Sequence, residues 1–173
     1  MIAITFFAFC LESCFLKNRS ARYIKNEQLS NNKIRLDGYY YYYLKNKIKS
    51  TDVFIDCFFF YGNGKVFFAM GTNTKNILQY EEYLKSKLRI DSKNMPEYWT
   101  NYLIKNDSIH FERIYVQPGF PHAIYRGKIL NDTTFVITES INNPSSKKSI
   151  SLDDTFHFKM FHPKPDSVFS NSK

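Results

Sequence analysis

Val53 to Met70 dominates the hydrophobic pattern of this chain. Val53-Phe54-Ile55-Asp56-Cys57-Phe58-Phe59-Phe60-Tyr61 and Val66-Phe67-Phe68-Ala69-Met70 flank Gly62-Asn63-Gly64-Lys65. β-Branched and aromatic residues fill both arms. Asn63-Gly64 between them predicts a hairpin, because a two-residue type I′ turn needs φ > 0 at both central positions. That turn would set Phe60 against Phe67, Phe59 against Phe68 and Cys57 against Met70. Both faces are apolar, so the hairpin is predicted to be buried on both sides of a closed or covered sheet.

The pattern elsewhere predicts more strands and one helix. Asp37-Gly38 opens a strand through Tyr39–Leu44, a run of tyrosines. Lys45 to Asp52 connects it to the hairpin. Ile77, Tyr80, Leu84 and Leu88 recur at helical spacing and predict a helix over about Asn76–Ile90. Asn73 or Thr74 would cap it, and Glu81 with Lys85 would pair along its outer side. Its apolar stripe is expected to cover one outer face of the hairpin. Tyr98–Lys105 and Ser108–Val116 predict a second hairpin across Asn106-Asp107, with Ile104 opposite Ile109 and Tyr102 opposite Phe111. The other face, Leu103 with His110 and Asn101 with Glu112, is expected to meet water.

His122–Leu130 and Thr134–Glu139 predict a third hairpin. A three-residue turn, Asn131-Asp132-Thr133, pairs Ile129 with Phe135 and Gly127 with Ile137; a slip of one residue would turn the apolar set outwards. Ile141–Ser149 is read as a loop and Thr155–Phe161 as the last strand, with Phe156, Phe158 and Met160 on one side. About eight strands in an antiparallel meander, with the helix after the third, predict a mainly β domain. Such meanders remove their edges by closing, so a barrel or half-barrel is expected.

The first 36 residues read differently. Met1–Leu11 is apolar and uncharged. It is too short to span a bilayer, which takes about 20 residues, and it fits the core of a secretory signal. Leu11-Glu12-Ser13-Cys14 follows and resembles a bacterial lipobox. The expectation is a signal peptide over residues 1–13, acyl chains such as palmitate on Cys14, and a flexible tether over 14–36. The barrel domain would then occupy 37–167 and a tail 168–173. Net charge is +8. Much of the excess lies on the tether, where Lys17, Arg19, Arg22, Lys25, Lys33 and Arg35 stand against Glu27. A nucleic-acid binder gathers its basic residues on a folded face, so no nucleic-acid partner is expected. A basic tether suits anionic lipid headgroups. These features predict a protein of the bacterial cell envelope, attached to a membrane through its lipid.

Composition agrees with the strand count. Of 173 residues, 43% are hydrophobic and 18% aromatic, from Tyr 13, Phe 17 and Trp 1; such rings favour strands.

Candidate chemistry is sparse. Cys57, alone among the strands, reads as a small buried apolar residue. His110 and Glu112 share a strand face, with His122 across the next turn. Two imidazoles and a carboxylate are a metal or acid–base set in principle, and an ordinary solvated sheet face otherwise. Asp56 sits in an apolar strand and needs a partner; Arg113 and Arg126 are the candidates, and a sheet-edge position beside Gly71 is the alternative. No nucleophile elbow, phosphate loop or zinc-protease motif is present, so neither catalytic residues nor a cofactor are assigned.

Ile129-Leu130-Asn131-Asp132-Thr133-Thr134-Phe135-Val136-Ile137 and Phe156-His157-Phe158-Lys159-Met160-Phe161-His162-Pro163-Lys164-Pro165-Asp166-Ser167 resemble segments of a group of Bacteroidota lipoproteins. The resemblance covers the last third of the chain and implies a lipocalin-like β-barrel on a lipid anchor, with no activity to carry over. Gly38-Tyr39-Tyr40 stands where a lipocalin carries Gly-x-Trp. Two functions follow. In one, the barrel binds a small apolar ligand or lipid against Tyr41, Phe59, Phe68, Phe111, Tyr125, Phe135 and Phe158. In the other, the barrel is filled by its own side chains and serves as a structural or protein-interaction module of the envelope.

Overall fold

The computed structural model describes residues 24, 33–44, 53–94, 98–114, 122–142 and 148–165. The signal peptide, Cys14 and most of the tether expected from the sequence lie outside them. Eight strands follow one another around a closed barrel: β1 (Gly38–Leu44), β2 (Val53–Phe60), β3 (Lys65–Thr74), β4 (Trp99–Lys105), β5 (Ser108–Ile114), β6 (His122–Asn131), β7 (Thr134–Asn142) and β8 (Ser149–Met160). Every neighbouring pair is antiparallel, and β8 returns to β1 with Tyr40 opposite Phe158. Closure gives every strand a partner on both sides, as the meander predicted, although β3 and β4 pair only over Lys65–Phe67 and Trp99–Asn101. One helix, α1 (Ile77–Asn94), is inserted between β3 and β4. Among the described residues no helix is long and apolar enough to cross a membrane.

The central hairpin forms, but in a different register. Phe59 pairs with Phe67, Phe58 with Phe68 and Cys57 with Ala69, one residue away from the expected pairing. The turn explains the shift. Gly64 has φ 74°, whereas Asn63 is not among the residues with positive φ. A type I′ turn is therefore not formed. The Gly64 amide donates to Tyr61 O at 3.1 Å and the Tyr61 amide to Lys65 O at 2.9 Å. This is a three-residue loop, Gly62-Asn63-Gly64, with glycine in the left-handed position that closes it. Apolar residues on both faces gave the pattern no power to choose between the registers. Gly64→Val is expected to cost on the order of 1 kcal/mol or more, since a β-branched residue resists φ > 0. Urea melts of the variant check this.

The other two hairpins keep their expected registers. Tyr102 faces Phe111 and Ile104 faces Ile109, with Asn106 at φ 55°. Ile129 faces Phe135 and Gly127 faces Ile137, but Asn131 pairs with Thr134 across a two-residue turn, so the extra residue is a bulge at Leu130 instead of a third turn residue. Strand β8 starts at Ser149, six residues before the expected Thr155. Its Ile150, Leu152 and Asp154 continue the alternation of Phe156 and Phe158, a polar-tipped extension to which the sequence pattern assigns no element.

Helix α1 lies on the outer wall of the first three strands. Tyr80, Leu84 and Leu88 are buried there, and the Tyr80 hydroxyl donates to Cys57 Sγ at 3.1 Å. Cys57 is fully buried, and burial pushes its thiol pKa up. The cap is Asn76, not Asn73 or Thr74: its Oδ1 accepts the Gln79 amide at 3.0 Å, while Gln79 Oε1 accepts the Lys75 amide at 2.9 Å. This reciprocal pair satisfies two amides at the helix start. The Glu81–Lys85 pair does not form. Lys85 bonds Glu82 at 3.0 Å, and Glu81 turns to the wall, accepting from the Tyr39 hydroxyl at 3.1 Å.

Residues 33–37 and 161–165 close the lower end of the barrel. Ile34 is buried, the Arg35 amide donates to Asp132 O at 2.9 Å, and the Arg35 guanidinium lies 4.5 Å from the Phe158 ring centroid. Lys164 Nζ donates to the Leu36 and Phe60 carbonyls, and burial pulls its pKa down to about 8. Ile24 also meets the wall: its amide donates to Glu112 Oε1, and its carbonyl accepts from Asn101 Nδ2 at 2.6 Å. Ile24 and residues 33–36, assigned to the tether from sequence, thus belong to the folded unit.

Candidate functional site

Strand alternation decides what the barrel holds. From β2, Phe58 and Phe60 point inwards and meet Phe68, Tyr102, Phe111, Phe135 and Phe156 in ring-to-ring contacts of 4.7–5.9 Å. Tyr40 joins them at 5.7 Å from Phe60. An eight-stranded barrel is just wide enough for its own side chains, and here aromatic rings fill its lower and middle layers. Each buried ring contributes about 1.5–3 kcal/mol through area removed from water.

Five of the seven expected lining residues, Phe68, Phe111, Tyr125, Phe135 and Phe158, do face inwards. Four of these fill the barrel instead of lining a hollow. Tyr41 and Phe59 are on the outside. Phe59 packs against Tyr39, Phe67 and Phe161 at 5.6–6.3 Å, and Tyr41 lies 5.2 Å from Tyr43. The one-residue shift in the hairpin accounts for Phe59: odd positions of β2 go to the helix side, even ones to the lumen.

Among the described residues the barrel interior keeps space at its upper end, where the chain leaves β1, β5 and β7. There the inward positions turn polar. A pocket of about 250 Å³ opens among Tyr42, Leu44, Asp56, Arg113, Tyr125, Leu152 and Asp154, with Phe58 and Phe156 among its lining. Tyr125 is the single expected lining residue that reaches it. Two bulges shape this end. The register of β2 on β3 shifts between Ile55 and Cys57, and that of β7 on β8 between Ile137 and Glu139. The second moves the inward positions of β7 from Phe135 and Ile137 to Ser140 and Asn142, both in the pocket lining. Gly71, at the first bulge, makes room for Phe54: a Cβ there would come within 2.4 Å of that ring.

Asp56 and Arg113 form the pocket's fixed element. Arg113 Nη1 donates to Asp56 Oδ2 at 2.6 Å and Nη2 to Oδ1 at 3.4 Å. Their side chains are 8% and 15% exposed, so this is a buried pair. Burial pushes the Asp56 carboxyl up, and the Arg113 guanidinium opposes it. The guanidinium also stacks on Phe68, 3.8 Å from its centroid. Of the two candidate partners, Arg113 is the one used; the sheet-edge alternative is not. Arg126 pairs outside with Glu139 at 3.1 Å. On the neighbouring β1 wall, burial pushes the Tyr42 phenol up to about 12, and the nearby Asp154 adds to the shift.

The second candidate cluster is on the outer wall and is not solvated as expected. Glu112 is fully buried, His122 is nearly so, and His122 Nε2 lies 3.8 Å from Glu112 Oε2. The Ile24 amide donates to Glu112 Oε1 and the Thr100 hydroxyl to the Glu112 carbonyl, while Asn101 Nδ2 donates to the Ile24 carbonyl. His110 is half-buried, and burial followed by Arg126 lowers its pKa. Among the described residues no group of three His, Cys, Asp or Glu side chains is placed to hold a metal.

Asp154, Tyr42 and Leu152 were not singled out from sequence. The signal was present in Ile150-x-Leu152-x-Asp154-x-Phe156-x-Phe158, whose period of two puts Asp154 on the lumen face. Family models, curated proteins and solved structures give no match to this chain.

Proposed function

We propose that this chain is a small-ligand-binding barrel of the bacterial cell envelope, held at a membrane by a lipid on Cys14. It would thereby join the Bacteroidota lipoproteins whose segments it resembles. The ligand enters the mouth, not the body of the barrel. The observation that carries this is the contrast between the two: aromatic rings fill the lower lumen, while the mouth keeps a pocket of about 250 Å³. At about 30 Å³ per water, that is the space of roughly eight waters, below the 300–1,000 Å³ of usual drug-sized sites. The ligand is therefore small. Leu44, Ile150 and Leu152 offer it apolar surface, and Asp56, Arg113 and Asp154 offer convergent polar groups. An amphipathic molecule suits that lining better than the purely apolar ligand expected from sequence.

The filled lumen favours a second reading, an envelope interaction module without a ligand. Native mass spectrometry of the purified protein separates the two. A copurifying small molecule, lost when Leu152→Trp fills the pocket, is the expected result. A mass equal to the lipidated chain alone, with no adduct under gentle conditions, would favour the module.

The anchor has its own test. A single acyl chain holds a membrane only marginally, whereas two or more hold it stably, at about 0.8 kcal/mol per buried CH₂. Cys14→Ser is expected to move the protein from the membrane to the soluble fraction of its host. An unchanged membrane fraction, or an intact Met1 on the wild-type protein, would overturn the anchor.

A further inference from the structure

The mouth pocket combines a charge imbalance with aromatic walls. Its lining carries two carboxylates, Asp56 and Asp154, against one guanidinium, Arg113. The guanidinium is committed, with both terminal nitrogens on Asp56 at 2.6 and 3.4 Å and its carbon 3.8 Å from the Phe68 centroid. With Arg113 already offset by Asp56, an anionic ligand would meet the uncompensated charge of Asp154, whereas a cation would balance it. Asp154 is placed differently. Its nearest polar influence is the Tyr42 phenol, which brings no charge. Among the described residues no Lys, Arg or His forms an ion pair with it. Tyr42, Phe58, Tyr125 and Phe156 supply rings beside it. The faces of such rings are electronegative and attract cations.

We propose that the mouth pocket is a site for a small organic cation, an ammonium group on an apolar body. The ammonium sits at Asp154 and the body lies between Tyr42, Tyr125 and Leu152. This rests on the small-ligand reading above and narrows it. An ammonium there balances the pocket's second carboxylate without disturbing the Asp56–Arg113 pair. Its apolar body covers the aliphatic part of the mouth.

Isothermal titration of the full chain at neutral pH with three probes of similar size tests this: 2-phenylethylamine, which is protonated, 2-phenylethanol and phenylacetate. The amine is expected to bind at least about tenfold more tightly than the alcohol, and phenylacetate more weakly than either. Raised salt should shrink the amine's advantage, because the attraction is screened. Asp154→Asn should abolish the amine's advantage over the alcohol. The wild-type series stands without the variant if the variant does not fold. Alcohol or phenylacetate binding as tightly as the amine would overturn the cation assignment and leave the mouth-ligand reading intact. So would an advantage that persists in folded Asp154→Asn. Failure of all three probes, with no copurifying molecule, would overturn both.

Discussion

Arg113→Leu is expected to cost about 3–5 kcal/mol of folding stability, the usual result of removing one partner from a buried ion pair. The substitution leaves Asp56, whose side chain is 8% exposed, without the guanidinium that approaches it at 2.6 Å. It also removes the cation from the Phe68 face. The remaining carboxylate must either stay charged in a poor solvent or take up a proton, and both cost free energy. Asp56→Asn should be costly for the complementary reason, because Arg113 is only 15% exposed on its side chain and cannot give up its charge. The double variant Asp56→Leu/Arg113→Met is expected to recover most of the loss, because two apolar groups of similar volume have no desolvation to repay. Urea melts give the three values, with a shifted midpoint at constant m showing that stability alone has changed. If Arg113→Leu loses less than about 1 kcal/mol, the pair is screened by water and the mouth is wetter than its geometry indicates.

This pair also shows how far the sequence could be followed. Asp56 stood out because a lone carboxylate interrupts an apolar strand, and Arg113 was one of two partners within reach of the meander. Choosing between them required the angular position of β5 around the barrel, which no local pattern contains. The strand count, the helix and the registers at Ile104–Ile109 and Ile129–Phe135 were legible for a simple reason. One face of each of those strands is apolar and the other is not, so only one register buries the apolar set. The hairpin at Asn63-Gly64 lacks that asymmetry. There the turn alone sets the register, and Gly64 alone takes the positive φ, closing a loop one residue longer than the Asn-Gly pair implies. The error passed directly into the candidate site, placing Phe59 in the lumen and hiding Phe58. Asp154 was missed for a different reason: Ser149–Asp154 is polar enough to hide its strand until its alternation is read together with Phe156 and Phe158.

Phe60→Ala should be the most damaging single change in the lumen and should also reveal what the wild-type lumen excludes. Phe60 is 1% exposed. Its ring lies 4.9 Å from Tyr102, 5.6 Å from Phe111, 5.7 Å from Tyr40 and 5.9 Å from Phe135. Truncation loses the transfer free energy of the ring and leaves a void that neighbours on four separate strands cannot all close, since each is held by its own ladder. A Phe→Ala change of this kind costs about 3–5 kcal/mol. The void would be lined by rings and too apolar to hold water, and such cavities stay dry and take up benzene or xenon. The variant is therefore expected to bind benzene and to regain part of its stability in doing so, while the wild-type protein shows no such gain. Urea melts with and without benzene measure both effects. A loss under about 1.5 kcal/mol in Phe60→Ala would contradict a filled lumen, as would equal stabilisation of wild type by benzene. Either outcome would return the barrel body, in place of its mouth, as the site for an apolar ligand.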